Sequence, residues 1–242
     1  MTAPAAPDNR PPFPGRTILH LEQAAGDSIA IPRRETQRYL GYRRVAPTGE
    51  VTARIDACEK QLLARSTPKA AWQAFALELP EEGHLRAAGL DIASADLARN
   101  CRGCRVLVMM AATIGPGVDF LIRRAGTVSM TDAAIYQAAG AAMVEEWCDR
   151  LNGKIRDAMK ETYGLTARPR FSPGYGDLPL ELQKDFFRIL DLPHNCGMSL
   201  GDTLLMSPSK SVTAFIGFAE SEDPCIPAGC EVCGKDNCGF RR

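Results

Sequence analysis

The sequence predicts an α+β fold: a mixed or antiparallel sheet covered by helices, one of them long, with a small cysteine-rich tail at the C-terminus. Three observations carry this reading. Apolar residues recur every three or four positions in several blocks, most extensively over 131–163, which is rich in alanine and contains no proline. The run 106–113 is continuously apolar, as in a buried central strand. Strand-like blocks fall at the start, middle and end with helical ones between them, which suits an antiparallel or mixed sheet.

Residues 1–15, rich in Pro and Ala, read as a disordered leader; they lack the apolar segment of a signal peptide or anchor. A short charged and aromatic helix is expected over 32–41. Residues 49–65 carry Val51, Ile55, Cys58, Leu62 and Leu63 at helical spacing. Residues 72–79 alternate and read as a strand, and 93–100 as a short helix opened by a small polar cap. Gly115-Pro116-Gly117 ends the central strand, and 118–125 forms another helix. The long helix 131–163 has Asp132 and preceding Ser and Thr residues for its N-cap and Gly164 for its stop. At 1.5 Å per residue it runs ~45 Å or more, enough to cross one face of the sheet, with Gly140 and nearby alanines allowing close packing. An amphipathic helix over 180–190 is entered through Pro179. Residues 203–206 and 212–218 read as a hairpin-like pair joined by 207–210. Residues 16–220 make one domain and 221–242 an appended module.

Composition excludes several classes. Lys+Arg and Asp+Glu balance at 29 each, so no net field draws the chain to nucleic acid or anionic lipid. No apolar run approaches the ~18–20 residues a membrane span needs, and a cytoplasmic location is expected. His20, His84 and His194 have no ligand-like spacing and read as structural or surface residues. No phosphate loop, nucleophile elbow or paired-histidine motif occurs.

Cysteine usage is informative. Without an export signal, thiols bind metal or stay reduced more often than they pair. Cys225, Cys230, Cys233 and Cys238 follow a C-x4-C-x2-C-x4-C pattern whose central turn sets two thiolates side by side. A four-sulfur shell suits zinc or an iron–sulfur cluster, since thiolates hold both tetrahedrally; two disulfides or spare thiols are the plainer reading. Cys101-Arg102-Gly103-Cys104 could be a redox dithiol or half a metal site, but with no third ligand in sight it reads first as two incidental thiols. Cys58, Cys148 and Cys196 read as small buried hydrophobes.

The segment Arg170-Phe171-Ser172-Pro173-Gly174-Tyr175 is the clearest candidate site. Proline stiffens it and glycine opens its backbone to close approach. An arginine at one end and a phenol at the other suit a small zwitterion, because a guanidinium grips a carboxylate with two parallel hydrogen bonds. The same letters also describe an ordinary surface turn.

This R-x-x-P-G-Y strip, followed by Met206-Ser207-Pro208-Ser209-Lys210-Ser211-Val212, resembles the activation domain of vitamin B12-dependent methionine synthase. The stand-alone forms of that domain are the nearest likeness. They commonly carry an R-x-L-G-Y run, here Arg38-Tyr39-Leu40-Gly41-Tyr42, and an A-A-T-[IL]-G segment, here Ala111-Ala112-Thr113-Ile114-Gly115. The resemblance spans roughly 30–220 and implies an α+β fold that binds S-adenosylmethionine (AdoMet). It implies reductive methylation of cob(II)alamin to methylcobalamin. The cobalamin would sit on a partner, a methionine synthase or another corrinoid protein, with a flavodoxin- or ferredoxin-like electron donor.

By resemblance, Arg170 contacts AdoMet beside Gly174, Tyr175 lies towards the cobalamin, and the backbone at Ile216 and Gly217 lines the AdoMet site. Glu145 matches an acidic residue of that pocket. A further acidic contact of the fused form does not align; Asp27, Asp56 and Asp96 all stay open. Low-potential reduction also gives an iron–sulfur cluster in the tail a use as an electron relay, which zinc lacks. A reactivator of another corrinoid methyltransferase and a metal-stabilised adaptor without AdoMet chemistry are the alternatives.

Overall fold

The computed structural model describes residues 12–42 and 45–220. The four tail cysteines and most of the expected leader lie outside the described residues. Along the chain, β1 (His20–Gln23) leads through α1 (Arg33–Tyr39) and α2 (Gly49–Arg65) to β2 (Lys69–Ala76). A hairpin of β3 (His84–Ala87) and β4 (Leu90–Ala93), then the short helix α3 (Ala95–Asn100), precede β5 (Cys104–Thr113). Helices α4 (Gly117–Gly126) and α5 (Met130–Tyr163) give way to β6 (Thr166–Ala167), α6 (Gln183–Ile189) and α7 (Leu192–Cys196). The two-residue strands β7 (Ser199–Leu200) and β8 (Met206–Ser207) come before β9 (Ser211–Ala219).

The main sheet has the order β1-β2-β5-β9-β6, and every neighbouring pair is antiparallel. Its central strands are buried on both faces, because successive side chains alternate across the sheet. Trp72, Val108, Met110, Ile216 and Phe218 face one core, which α2, α4 and α5 close with Ile55, Leu62, Met143 and Trp147. Leu107, Met109 and Phe215 face the other, closed by Leu85, Ile92, Leu97, Phe186 and Leu192. Each such side chain withdrawn fully from water contributes about 1.5–3 kcal/mol, so a strand apolar on both faces ties the two cores together.

Helix α5 begins where the Ser129 hydroxyl accepts the Asp132 N–H at 3.2 Å. It ends where Gly164 N–H reaches the Lys160 carbonyl at 2.9 Å. Trp147 anchors it to the sheet by donating Nε1–H to the Lys69 carbonyl at 3.1 Å. The close approach at Gly140 is to α4: a Cβ there would lie 2.9 Å from Val118 Cγ2.

The α+β class, the antiparallel sheet and the long helix are as expected from the sequence. Three local expectations differ. Strand β2 starts at Lys69 and ends at Ala76, three residues upstream of the alternating block. The β3–β4 hairpin turns on Ala88 and Gly89, both at positive φ (55° and 75°); Ala-Gly lacks the Asn-Gly or Asp-Gly signature of such turns. Residues 203–206 do not pair with β9. Strand β9 is paired by β5 along one edge and β6 along the other, while Met206–Ser207 pairs with Ser199–Leu200. Within the segment read as leader, Phe13 packs edge-on against Tyr163 at 5.3 Å and the Gly15 carbonyl accepts Ala76 N–H at 2.6 Å.

Candidate functional site

The strip begins at the free edge of β9. Beyond β6, Arg168 N–H reaches the Gly217 carbonyl at 2.7 Å, and Phe171 exchanges backbone hydrogen bonds of 2.9 and 2.8 Å with Phe215. Phe171 drops into the second core. Its neighbour Arg170 therefore points to the opposite face, over α5. There Arg170 Nη2 lies 2.8 Å from Asp149 Oδ1 and 3.4 Å from Glu145 Oε2. The two carboxylates are four residues apart and so share one helix face. The second guanidinium nitrogen, Nη1, is buried and makes no hydrogen bond. Beneath the cluster, burial pushes the Cys148 thiol up to about 12, so this sulfur stays protonated.

The rest of the strip is a tight, tethered turn. Tyr175 N–H donates to the Ser172 carbonyl at 3.1 Å, and Gly174 N–H to the Leu178 carbonyl at 2.9 Å. Gly174 sits at φ +85°, where a side chain is strained, and a Cβ would come within 3.1 Å of Leu180 Cδ1. Tyr175 is 63% exposed and meets Phe171 edge-on at 5.3 Å. Two residues on, the Asp177 carboxylate caps α3: it accepts N–H groups of Ala95 at 2.7 Å and Asp96 at 3.2 Å, and the Ser94 hydroxyl. The Ser94 hydrogen bond, with those backbone donors, holds the Asp177 carboxyl below its ordinary range. The strip is thus fastened at one end to the sheet edge and at the other to a helix cap.

Arg170, Glu145, Gly174 and Tyr175 are all on or against this strip. Ile216 is fully buried with its side chain in the first core. Gly217 has its carbonyl engaged by Arg168, and a Cβ on it would lie 2.9 Å from both Cys101 Sγ and Cys104 Sγ. Asp149 was not anticipated, although its i, i+4 spacing from Glu145 is a readable signal. Of the three open aspartates, Asp96 lies against the strip, where a Cβ on Gly176 would run into its carboxylate. Asp27 and Asp56 instead line a separate cleft of about 570 Å³ with Arg33 and Glu59. A second cleft, about 680 Å³, is lined by Arg16, Gln73, Ala88 and Arg188. Neither cleft includes the strip, which is an open shelf at the sheet edge. Arg33 and Arg170 are each paired with two carboxylates; the shelf is set apart by the Arg170 Nη1, a buried donor without a partner. Among the described residues no group of three or more His, Cys, Asp or Glu side chains could hold a metal ion.

No protein-family model matches the chain, and no curated protein matches its sequence. A solved structure does match in three dimensions: the crystal structure of the MetH reactivation domain bound to AdoHcy. The TM-score is 0.62 at 12% identity, over 82% of this chain and 78% of that one. The two share a fold. The likeness to the MetH reactivation domain agrees with the α+β architecture expected from the sequence, and at this identity it concerns the fold alone. No helix among the described residues is long and apolar enough to cross a membrane.

Proposed function

We propose that this chain binds AdoMet along the Arg170 strip and supports reductive methylation of a corrinoid carried by a partner, a cobalamin-dependent methionine synthase. The observation carrying the proposal is Arg170, with one edge of its guanidinium on Asp149 and Glu145 and a buried Nη1 without a partner. It stands in the fold of a domain whose solved form is bound to AdoHcy.

The residues fit such a ligand. The Arg170 guanidinium is the cation a carboxylate needs, and Gly174 is exposed at the turn without a side chain of its own. Glu145 and Asp149 put negative charge beside a cationic sulfonium, an attraction that strengthens as water is excluded. AdoMet, when bound, supplies the methyl group passed to the partner's reduced corrinoid. The chain's own contribution is positional: Arg170 orients the ligand, the Asp177 tether keeps the strip from drifting, and exposed Tyr175 faces the partner. Holding reactants in place can supply several kcal/mol of a barrier.

Methyl transfer tests this directly. A methionine synthase lacking its own reactivation domain, loaded with cob(II)alamin and given AdoMet and reduced flavodoxin or ferredoxin, should gain the methylcobalamin absorption only when this chain is added. Arg170→Ala should abolish the gain; a gain unchanged by that substitution contradicts the assignment. The tail spacing supports a four-thiolate site at Cys225, Cys230, Cys233 and Cys238. Absorption of anaerobic protein at about 400 nm is expected for an iron–sulfur centre and not for zinc.

A further inference from the structure

The pair Cys101 and Cys104 lies on the side of the sheet opposite the Arg170–Asp149 cluster, and the proposed function makes no use of it. Cys101 ends α3 and Cys104 opens β5. Between them Cys104 N–H closes a four-residue turn on the Cys101 carbonyl at 2.9 Å, with Gly103 at φ +73°. Such turns keep their end Cα atoms within about 7 Å, which overlaps the roughly 4.4–6.8 Å that a disulfide spans. The side chains converge as well. Both Sγ atoms lie 2.9 Å from the point where a Cβ on Gly217 would sit, so they are separated by no more than twice that distance. The missing side chain of Gly217 leaves the hollow in which the two sulfurs meet.

The surroundings suit a thiolate. Hydrogen bonding with Cys101 lowers the Cys104 thiol from its ordinary value against the opposing effect of burial, and the Arg168 guanidinium adds to the lowering. Arg168 is held in place: it donates to the Arg102 carbonyl at 3.3 Å and, through its backbone, to Gly217. Both cysteines are buried, Cys104 the less completely. Cys101 is 0% exposed and Cys104 7%, at the base of a turn whose Arg102 and Gly103 are exposed. The nearby Arg168 guanidinium favours a thiolate and opposes a bound cation.

We propose that Cys101 and Cys104 form a thiol–disulfide exchange site, with Cys104 the entering nucleophile and Cys101 the resolving thiol. The co-reactant is a disulfide of a small thiol or of a partner dithiol protein. Cys104 thiolate attacks one sulfur of that disulfide, forming a mixed disulfide and releasing the first thiolate. Cys101 then loses its proton to the released thiolate and attacks Cys104 Sγ. The Cys101–Cys104 bond forms, the mixed disulfide breaks, and the second thiolate leaves to be protonated by solvent with the proton Cys104 gave up. Two thiols are oxidised and one external disulfide is reduced to two thiols. Reversal regenerates the dithiol.

The test uses the full chain and does not depend on AdoMet binding. Folded protein is equilibrated in glutathione buffers from fully reduced to fully oxidised, quenched by alkylation under denaturing conditions, and mapped by peptide mass spectrometry. The peptide spanning Cys101 and Cys104 should lose both alkylation sites together in one two-electron transition, while Cys58, Cys148 and Cys196 keep theirs. Cys101→Ser should accumulate glutathione at Cys104, and Cys104→Ser should not accumulate it at Cys101. Arg168→Gln should slow alkylation of Cys104 severalfold at neutral pH. If both thiols of the wild type stay alkylatable across the whole range, or glutathione collects on Cys101, the proposal is wrong. The wild-type titration stands even if a variant fails to fold.

Discussion

Replacing Arg170 by methionine separates a binding role from a structural one. Methionine keeps much of the aliphatic volume and removes the charge. The side chain is 20% exposed, and its partners Glu145 and Asp149 are 40% and 63% exposed, so solvent screens the ion pairs and each contributes on the order of 0.2–1 kcal/mol. Removing the guanidinium also leaves two carboxylates facing each other at i, i+4, worth a further few tenths of a kcal/mol, roughly 0.2–0.5. Against this, the substitution relieves a buried donor that has no partner. Because that relief offsets part of these costs, the net loss is expected to stay below about 2 kcal/mol. For a domain of this size that lowers Tm by no more than roughly 8 °C. Thermal unfolding followed by circular dichroism, with Asp149→Asn and the double variant completing a cycle, measures it. Loss of more than about 4 kcal/mol, in the range of a broken buried ion pair, would show Arg170 to be a structural anchor and refute the view that its donor is kept for a ligand.

Other consequences can be checked in the same preparations. The folded Asp177 carboxyl is lowered, so its cap stabilises above the unfolded value and is lost as pH falls through the folded one; Asp177→Asn should flatten the acid limb of Tm measured from pH 6 down to 3. Gly217→Ala should destabilise, by about 1–3 kcal/mol for overpacking, since its Cβ would meet two sulfurs at 2.9 Å; chemical denaturation reads this, and an unchanged midpoint would contradict the packing. Cys148, fully buried and pushed up to about 12, should resist iodoacetamide at pH 8 until the protein unfolds.

How far the sequence could be read depended on whether its signals were local. Helix α2 was legible from its apolar spacing, and the ends of α5 because their capping groups lie beside the segment, as with Ser129 before Met130 and Gly164 after Tyr163. The central strand was legible because burial on both faces leaves no polar residue in 106–112. Pairing was not. The 203–206 stretch has strand-like residues, but which strand lies beside β9 depends on the whole sheet, and Leu204 at φ +61° breaks the extended path. At the site, Arg170 and Tyr175 stood out through Pro173 and Gly174 between them. Asp149 and the Asp177 cap did not, since each acts through a contact distant in sequence. The two cysteines of 101–104 looked incidental until Gly217, more than a hundred residues later, supplied the hollow between them.

Titration calorimetry of AdoMet into the wild-type chain and Arg170→Ala tests the central claim most directly. The account predicts saturable one-to-one binding by wild type, weakened at least about tenfold, or 1.4 kcal/mol, in the variant. An absence of heat with wild type, or equal affinity in both, would contradict it.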